Sequence, residues 1–267
     1  MKQQRGATLI VVLILLLLIS MVGVYAIRHS IFSLKLATNA QVQKLLMQTS
    51  DVALDHLEKN FQANEAFNLS GTPVGQVLLA GNRGKELQFC FKPTQLGEHS
   101  GQGLFFDLSE FRIVERLNIS QKTGVSSALS GDIQAVCDPE SMFSISRKAV
   151  VTQVAVMSPD DPTVEMGRFD LASKNTDLKE VNVETQRVRV VVTSFAPALA
   201  SGVAIDDINT CLQDRMMDDS LLNNRLDPAL NPAQVKVETL HECLNQLGVP
   251  LNTQLAEYVV RLSETKH

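Results

Sequence analysis

Hydrophobic residues run without a single charge over residues 7–27, ATLIVVLILLLLISMVGVYAI. Wound as a helix, this run is about 31 Å long, close to the ~30 Å hydrocarbon thickness of a bilayer. Lys2 and Arg5 precede it, and Arg28, His29 and Lys35 follow, so charge bias orients the helix only weakly. The long remainder of the chain is expected on the exported side. A cleaved secretory signal has an apolar core of about 7–15 residues and a small-x-small cut site. Here the run is longer and Val24-Tyr25-Ala26 matches that site poorly, so the segment is expected to be retained. Past it, Leu34, Ala37, Val42, Leu45, Leu46, Thr49, Val52, Ala53 and Leu57 recur at helical steps, with Gln41, Gln43, Lys44, Gln48, Asp51, Asp55 and Glu58 opposite. No proline interrupts residues 28–60, which predicts one helix over 7–60. A coiled coil would need sustained heptads with charged flanks, and these are missing.

From about residue 68 the pattern changes to short apolar runs separated by Gly, Pro, Asn and Ser. Strands are predicted at 76–79, 86–91, 103–108, 111–119, 143–146, 150–157 and 187–195. In the last, Val188, Val190 and Val192 alternate with Arg189, Val191 and Thr193, as in a partly exposed strand. Residues 158–162, SPDDP, read as a loop. An antiparallel sheet laid on the helical stripe buries both apolar faces, giving an α+β fold. Residues 201–267 return to helical signals. Asn231 and Pro232 open a helix, Gly248 and Pro250 close it, and Val235, Leu240, Cys243, Leu244 and Leu247 form its apolar face. Ile205, Ile208, Cys211 and Leu212 mark a shorter helix before it. The simplest role for this appendage is a lid on the sheet.

The formal net charge of -5 and the absence of Trp argue against a nucleic-acid surface and a stacking platform. Cys90, Cys137, Cys211 and Cys243 form an even set without CxxC spacing or clustered histidines. Zinc is therefore not expected, and disulfides are, given an exported body. Three connectivities exist; Cys90–Cys137 with Cys211–Cys243 is favoured because each pair stays within one compositional region. No P-loop, GxSxG, HExxH or GxGxxG occurs. Asp206, Asp207, Asp214, Asp218 and Asp219 make the densest acidic stretch, but the alternating Asp/Asn loop of a calcium site is missing, and solvated helix faces are the reading. His241 and Cys243 diverge on a helix and make no nucleophile–base pair. His29, His56, His99 and His267 show no partners in the sequence. Catalytic, cofactor and metal sites are all expected to be none.

Residues 1–6, Met1-Lys2-Gln3-Gln4-Arg5-Gly6, are short, basic and end in glycine directly before the apolar run. This resembles the leader of type IV prepilins and pseudopilins, and the stretch from Arg5 through Glu58 resembles the PilX amino-terminal region. The resemblance implies cleavage by a prepilin peptidase between Gly6 and Ala7, with methylation of Ala7. It also implies a pilin architecture: leader 1–6, long helix 7–60 with 7–27 transmembrane, β-rich head 61–200, and C-terminal region 201–267, which in pilins is commonly exposed and variable. Major pilins carry glutamate as the fifth mature residue, where this chain has Val11. An uncompensated charge in a bilayer costs at least ~2.5 kcal/mol, which is what drives that glutamate to pair with a neighbour's amino terminus. Minor members lacking it are assigned to fibre tips, since a first subunit has no earlier one to dock onto.

By that resemblance the chain is a minor pilin that primes or caps a type IV pilus, supporting twitching motility, adhesion and natural transformation. The implied partners are other minor pilins, a pilus-tip adhesin, the prepilin peptidase and the inner-membrane assembly platform, with nucleic acid touched only indirectly. The implied location is the bacterial inner membrane, body periplasmic, and then the pilus. The rivals are a type II secretion pseudopilin at the fibre tip and a membrane-anchored periplasmic enzyme or binding module. The first predicts loss of enzyme export on deletion; the second predicts that an ordinary anchor can replace residues 1–30.

Overall fold

The computed structural model describes residues 7–64, 71–79, 81–92, 111–115, 126–127, 135–144, 149–158, 183–218 and 238–263. Two compact units divide the chain, Met1–Leu45 and Leu46–His267. Helix α1, Ala7–Asn64, is a single element with no acidic residue in its first turn. In the first unit it is exposed at nearly every described position.

The second unit is built in three layers around one antiparallel sheet. Its strands are β1 (Glu86–Cys90), β2 (Arg112–Glu115), β3 (Ser126–Ser127), β4 (Val151–Met157), β5 (Val183–Phe195) and β6 (Leu251–Ser263), in the order β3-β2-β1-β4-β5-β6. The longest pairing joins β5 to β6 from Val183↔Ser263 to Phe195↔Leu251. On one face, Leu87, Phe89, Val154, Val156, Val188, Val190 and Val192 pack against Ala53 and Leu57 of α1 and against Val74 and Val77 of α2 (Pro73–Leu78). On the other face, Cys90, Val151, Ala155, Met157, Val191 and Phe195 pack under α3 (Ile205–Asp214) and α4 (Leu240–Gln246) through Ile208, Leu212, Leu240 and Leu244. Burying one such Leu or Phe contributes about 1.5–3 kcal/mol, so two filled faces make β4 and β5 the centre of the core. The long helix against an antiparallel sheet, with helices in the C-terminal part, is the expected α+β, pilin-like fold.

Two disulfides, Cys90–Cys137 and Cys211–Cys243, close loops with sequence separations of 47 and 32. The chain-entropy model gives each about 4 kcal/mol. The second ties α3 to α4. Capping sets the limits of α4: Thr239 accepts from the Glu242 N–H while Glu242 Oε2 accepts from the Thr239 N–H at 3.2 Å. Gly248, at φ 76°, ends the turn in the left-handed region that glycine tolerates best.

Several sequence expectations change. The stripe on α1 is buried from Leu46 onward, through Thr49, Ser50, Ala53 and Leu57, whereas Leu34 and Val52 are exposed and Val42 is half-buried. Residues 76–79, expected as a strand, lie mostly in α2; Thr72 caps it by accepting from the Gly75 N–H at 3.0 Å, and Pro73 takes the first position. Phe143 and Ser144 belong to no strand, and 145–146 lie outside the described residues, as do 103–108 and 116–119. Strand β5 starts at Val183, four residues before the expected 187, and from Val188 to Phe195 it is covered on both faces except at half-buried Arg189. The helix expected from Asn231 does not run unbroken to Gly248, because Glu238 and Thr239 are non-helical; Asn231, Pro232 and Val235 lie outside the described residues. Residues 251–263, expected to be helical, form β6. The 201–267 stretch is thus partly lid and partly sheet.

Candidate membrane-anchoring segment and head network

Residues 9–27 of α1 expose Leu, Ile, Val and Met on every side of the helix; Leu9, Ile19, Met21 and Val22 are all more than 60 % accessible. An amphipathic surface helix shows one apolar stripe, but an all-round apolar helix is matched to lipid. It is the one helix long and apolar enough to cross a membrane among the described residues. Ser20, a polar residue within this apolar surface, is satisfied internally, as hydrocarbon requires: its Oγ donates to the Leu16 carbonyl at 2.8 Å. At the end of the charge-free run, Tyr25 and His29 stack with ring centroids 6.4 Å apart, beside Arg28. Amphipathic rings and basic residues at such a position suit the headgroup level. The helix has the length and apolar surface that suit a membrane anchor. Ala7 is its first residue, Gly6 lies outside the described residues, and Val11 is an exposed, uncharged position on its surface.

The head holds a buried polar network that its sequence did not reveal. Glu86, on the lid-facing side of β1, is wholly buried. Its carboxylate accepts from the backbone N–H of Met217 at 2.9 Å, from that of Asp218 at 3.1 Å, and from Gln88 Nε2. Gln88 Oε1 in turn accepts from Arg112 Nε at 2.9 Å and from Arg112 Nη2 at 2.6 Å. The same guanidinium donates to the carbonyls of Leu212 and Gln213 at the C-terminal end of α3. Burial pushes the Glu86 carboxyl up to about 7, against the opposing hydrogen bonds from Gln88, Met217 and Asp218 and with the neighbouring Asp218 charge adding to the rise. Burial also brings Arg112 down to about 10, against the favourable fields of Glu86 and Asp214.

Asp218 was expected on a solvated helix face; it is buried and pairs with Arg189 at 3.1 Å. Arg189 also donates to Glu257 Oε1 from Nε at 2.8 Å, and this bond holds the Glu257 carboxyl below its ordinary value. Asp206 and Asp207 do sit exposed, in the first turn of α3, where the helix dipole favours them, while Asp219 lies outside the described residues. His29 and His56 do have partners: His29 stacks on Tyr25, and His56 lies 5.7 Å from Phe91, ring to ring. His241 Nδ1 is 3.0 Å from Thr253 Oγ1, and Cys243 is bonded to Cys211. Among the described residues no three His, Cys, Asp or Glu side chains converge on a metal-sized site. The network is chemically a clamp between sheet and lid. The signal that could have revealed it is the polar set Glu86, Gln88 and Arg112 interleaved with Leu87, Phe89 and Ile113, a pattern that ordinarily means a solvated sheet face.

Residues 5–55 match the family described as PilX N-terminal, a span that covers the whole exposed apolar part of α1 and ends within the same helix. No curated protein and no solved structure matches the chain. The likeness to PilX N-terminal proteins thus rests on the long apolar helix, and the sheet-backed head has the α+β architecture expected of a pilin-like protein.

Proposed function

We propose that the protein is a minor pilin that starts or caps type IV pilus assembly near the fibre tip. The observation that supports this reading is the neutral first turn of α1, with exposed Val11 where major pilins carry a docking glutamate. A subunit without that carboxylate lacks the charge pair that would seat it beneath an earlier subunit, yet its helix still offers an apolar surface to those that follow. On this reading a prepilin peptidase removes residues 1–6 by cutting between Gly6 and Ala7, and Ala7 is methylated. The head faces the periplasm, and the subunit joins other minor pilins, a tip adhesin and the assembly platform in the inner membrane. Twitching, adhesion and DNA uptake then depend on it through fibre formation, without direct contact with nucleic acid.

Gly6→Leu tests the reading, with processing, piliation and transformation scored together. The expected result is an unprocessed precursor in the membrane, few surface fibres and reduced transformation. Normal fibres from an unprocessed subunit contradict the reading. Loss of enzyme export with intact pili reassigns the protein to a type II secretion pseudopilus.

A further inference from the structure

Charge is segregated along the chain. Through residue 50 it carries Lys2, Arg5, Arg28, Lys35 and Lys44 and no acidic residue; the first carboxylate is Asp51. The whole protein is acidic, with a net charge of -5, so its cationic end stands out against the rest. Where the charge-free run ends, Tyr25, Arg28, Phe32 and Lys35 follow one another at steps of three, four and three residues. At 3.6 residues per turn these four fall within an arc of about 80° and make a single stripe on α1. All four are exposed, and with the described residues neither Arg28 nor Lys35 forms an ion pair. The opposite side of the helix at this level, Ala26, Ser30, Ser33 and Ala37, is small and uncharged.

We propose that Arg28 and Lys35, interleaved with the rings of Tyr25 and Phe32, bind the headgroup of an anionic phospholipid in the leaflet at the C-terminal end of the apolar run. The inference rests on the membrane reading of residues 7–27 and is independent of a role in a pilus. Arg28 is the first residue after that run, so it stands where hydrocarbon gives way to lipid phosphates. Its planar guanidinium offers two parallel N–H donors to phosphate oxygens. Lys35 lies ~10.5 Å farther along the axis, but helical side chains lean toward the N-terminus. Its long apolar stem therefore carries the ammonium back toward the bilayer surface. The two rings suit the interface between these cations.

The stripe selects among lipids by charge. A zwitterionic headgroup brings its own cation beside the phosphate, and Arg28 and Lys35 repel it. Phosphatidylglycerol brings no cation, and no carboxylate on residues 1–50 competes for the two basic groups. A basic side chain near an anionic surface strengthens binding about fivefold.

The test is electron paramagnetic resonance of spin-labelled phosphatidylglycerol and phosphatidylcholine in phosphatidylcholine vesicles holding the full chain. Lipid held against a membrane-spanning helix gives a motionally restricted component, and its size for the two labels gives their relative affinity. The expected result is a preference of about fivefold for phosphatidylglycerol. It should shrink in about 1 M salt, where the screening length is ~3 Å. Most of it should be lost in Arg28→Gln/Lys35→Gln and retained in Lys2→Gln/Arg5→Gln; glutamine is a good helix former at exposed helical positions. Equal restriction of the two lipids by the unaltered chain, as a stripe meant for an acidic protein partner would give, overturns the proposal. A preference that survives in Arg28→Gln/Lys35→Gln overturns it too. No restricted component with either lipid overturns the membrane reading, and the proposal with it.

Discussion

Ser50 on α1 donates to Ser194 on β5 at 2.8 Å, across the boundary between the long helix and the sheet. Both hydroxyls are buried, and the contact continues to Thr152 of β4 at 2.9 Å from Ser194. Asn252 of β6 reaches Ser50 at 3.5 Å, and Gln254 reaches Asp51 at 2.8 Å. Apolar packing of Ala53 and Leu57 is tolerant of rotation, whereas a hydroxyl chain is directional and fixes how residues 46–57 lie on the sheet.

Ser194→Val should destabilise the head by about 1–3 kcal/mol, because Ser50 and Thr152 lose a partner in a site water cannot reach. For a domain of this size that is a melting shift of roughly 2–4 °C per kcal/mol. Thermal melts followed by far-UV circular dichroism check it. An unchanged midpoint would show that the hydroxyl chain contributes nothing.

The helix should divide functionally at about residue 46. Leu57→Ala removes a side chain that is 2 % exposed and should cost the head about 2–5 kcal/mol. Leu34→Ala changes a side chain that is 68 % exposed and should leave the melting midpoint within error. Comparing the two melts checks the division. Equal destabilisation would contradict it.

Replacing both Cys211 and Cys243 by Ser should reduce stability by up to about 4 kcal/mol and raise hydrogen exchange in α3 and α4. Membrane fractionation should not change, since α1 carries the anchor. Exchange that stays at wild-type levels in both helices would mean that the apolar lid contacts alone hold them.

Two carboxylates give the head opposite pH dependences. Glu86 is raised when folded, so its contribution is fully present below 4.5 and is lost as pH rises through about 7. Glu257 is lowered by Arg189, so its contribution is present above the ordinary carboxylate range and is lost as pH falls through its folded value. Urea titrations should therefore show wild-type losing stability relative to Glu86→Gln between pH 4.5 and 7, with a constant difference above that. Glu257→Gln should differ from wild-type most at neutral pH and least in acid. A wild-type curve parallel to Glu86→Gln throughout would contradict the first assignment.

How far the fold was legible depends on whether burial and polarity coincide along the chain. The long apolar helix was readable because residues 7–27 carry no charged side chain, and the bridge between α3 and α4 because Cys211 and Cys243 fall on helical signals in one region. Strand β6 was not readable. At the sheet edge, Thr253 faces the lid toward His241 while Asn252 and Gln254 face α1. Leu255 and Val259 are exposed, so neither side of the strand is uniformly apolar and period-two alternation fails. Helix α2 is six residues long, too short to display a helical period; only the Thr72-Pro73 cap marked it. The Glu86–Gln88–Arg112 network was hidden for a different reason. Polar residues alternating on a strand ordinarily face water, and only the covering of that face by α3 turns them into a buried clamp. Gly6, Ala7 and Val11 acquired meaning from resemblance alone.

The most direct test is intact-mass and N-terminal mass spectrometry of the protein taken from membranes and from sheared surface fibres of the same cells. The expected species in both begins at N-methylated Ala7 and keeps the 7–27 helix. A chain still carrying Met1 in cells with active prepilin peptidase, or a soluble form lacking residues 7–27, would contradict the assignment.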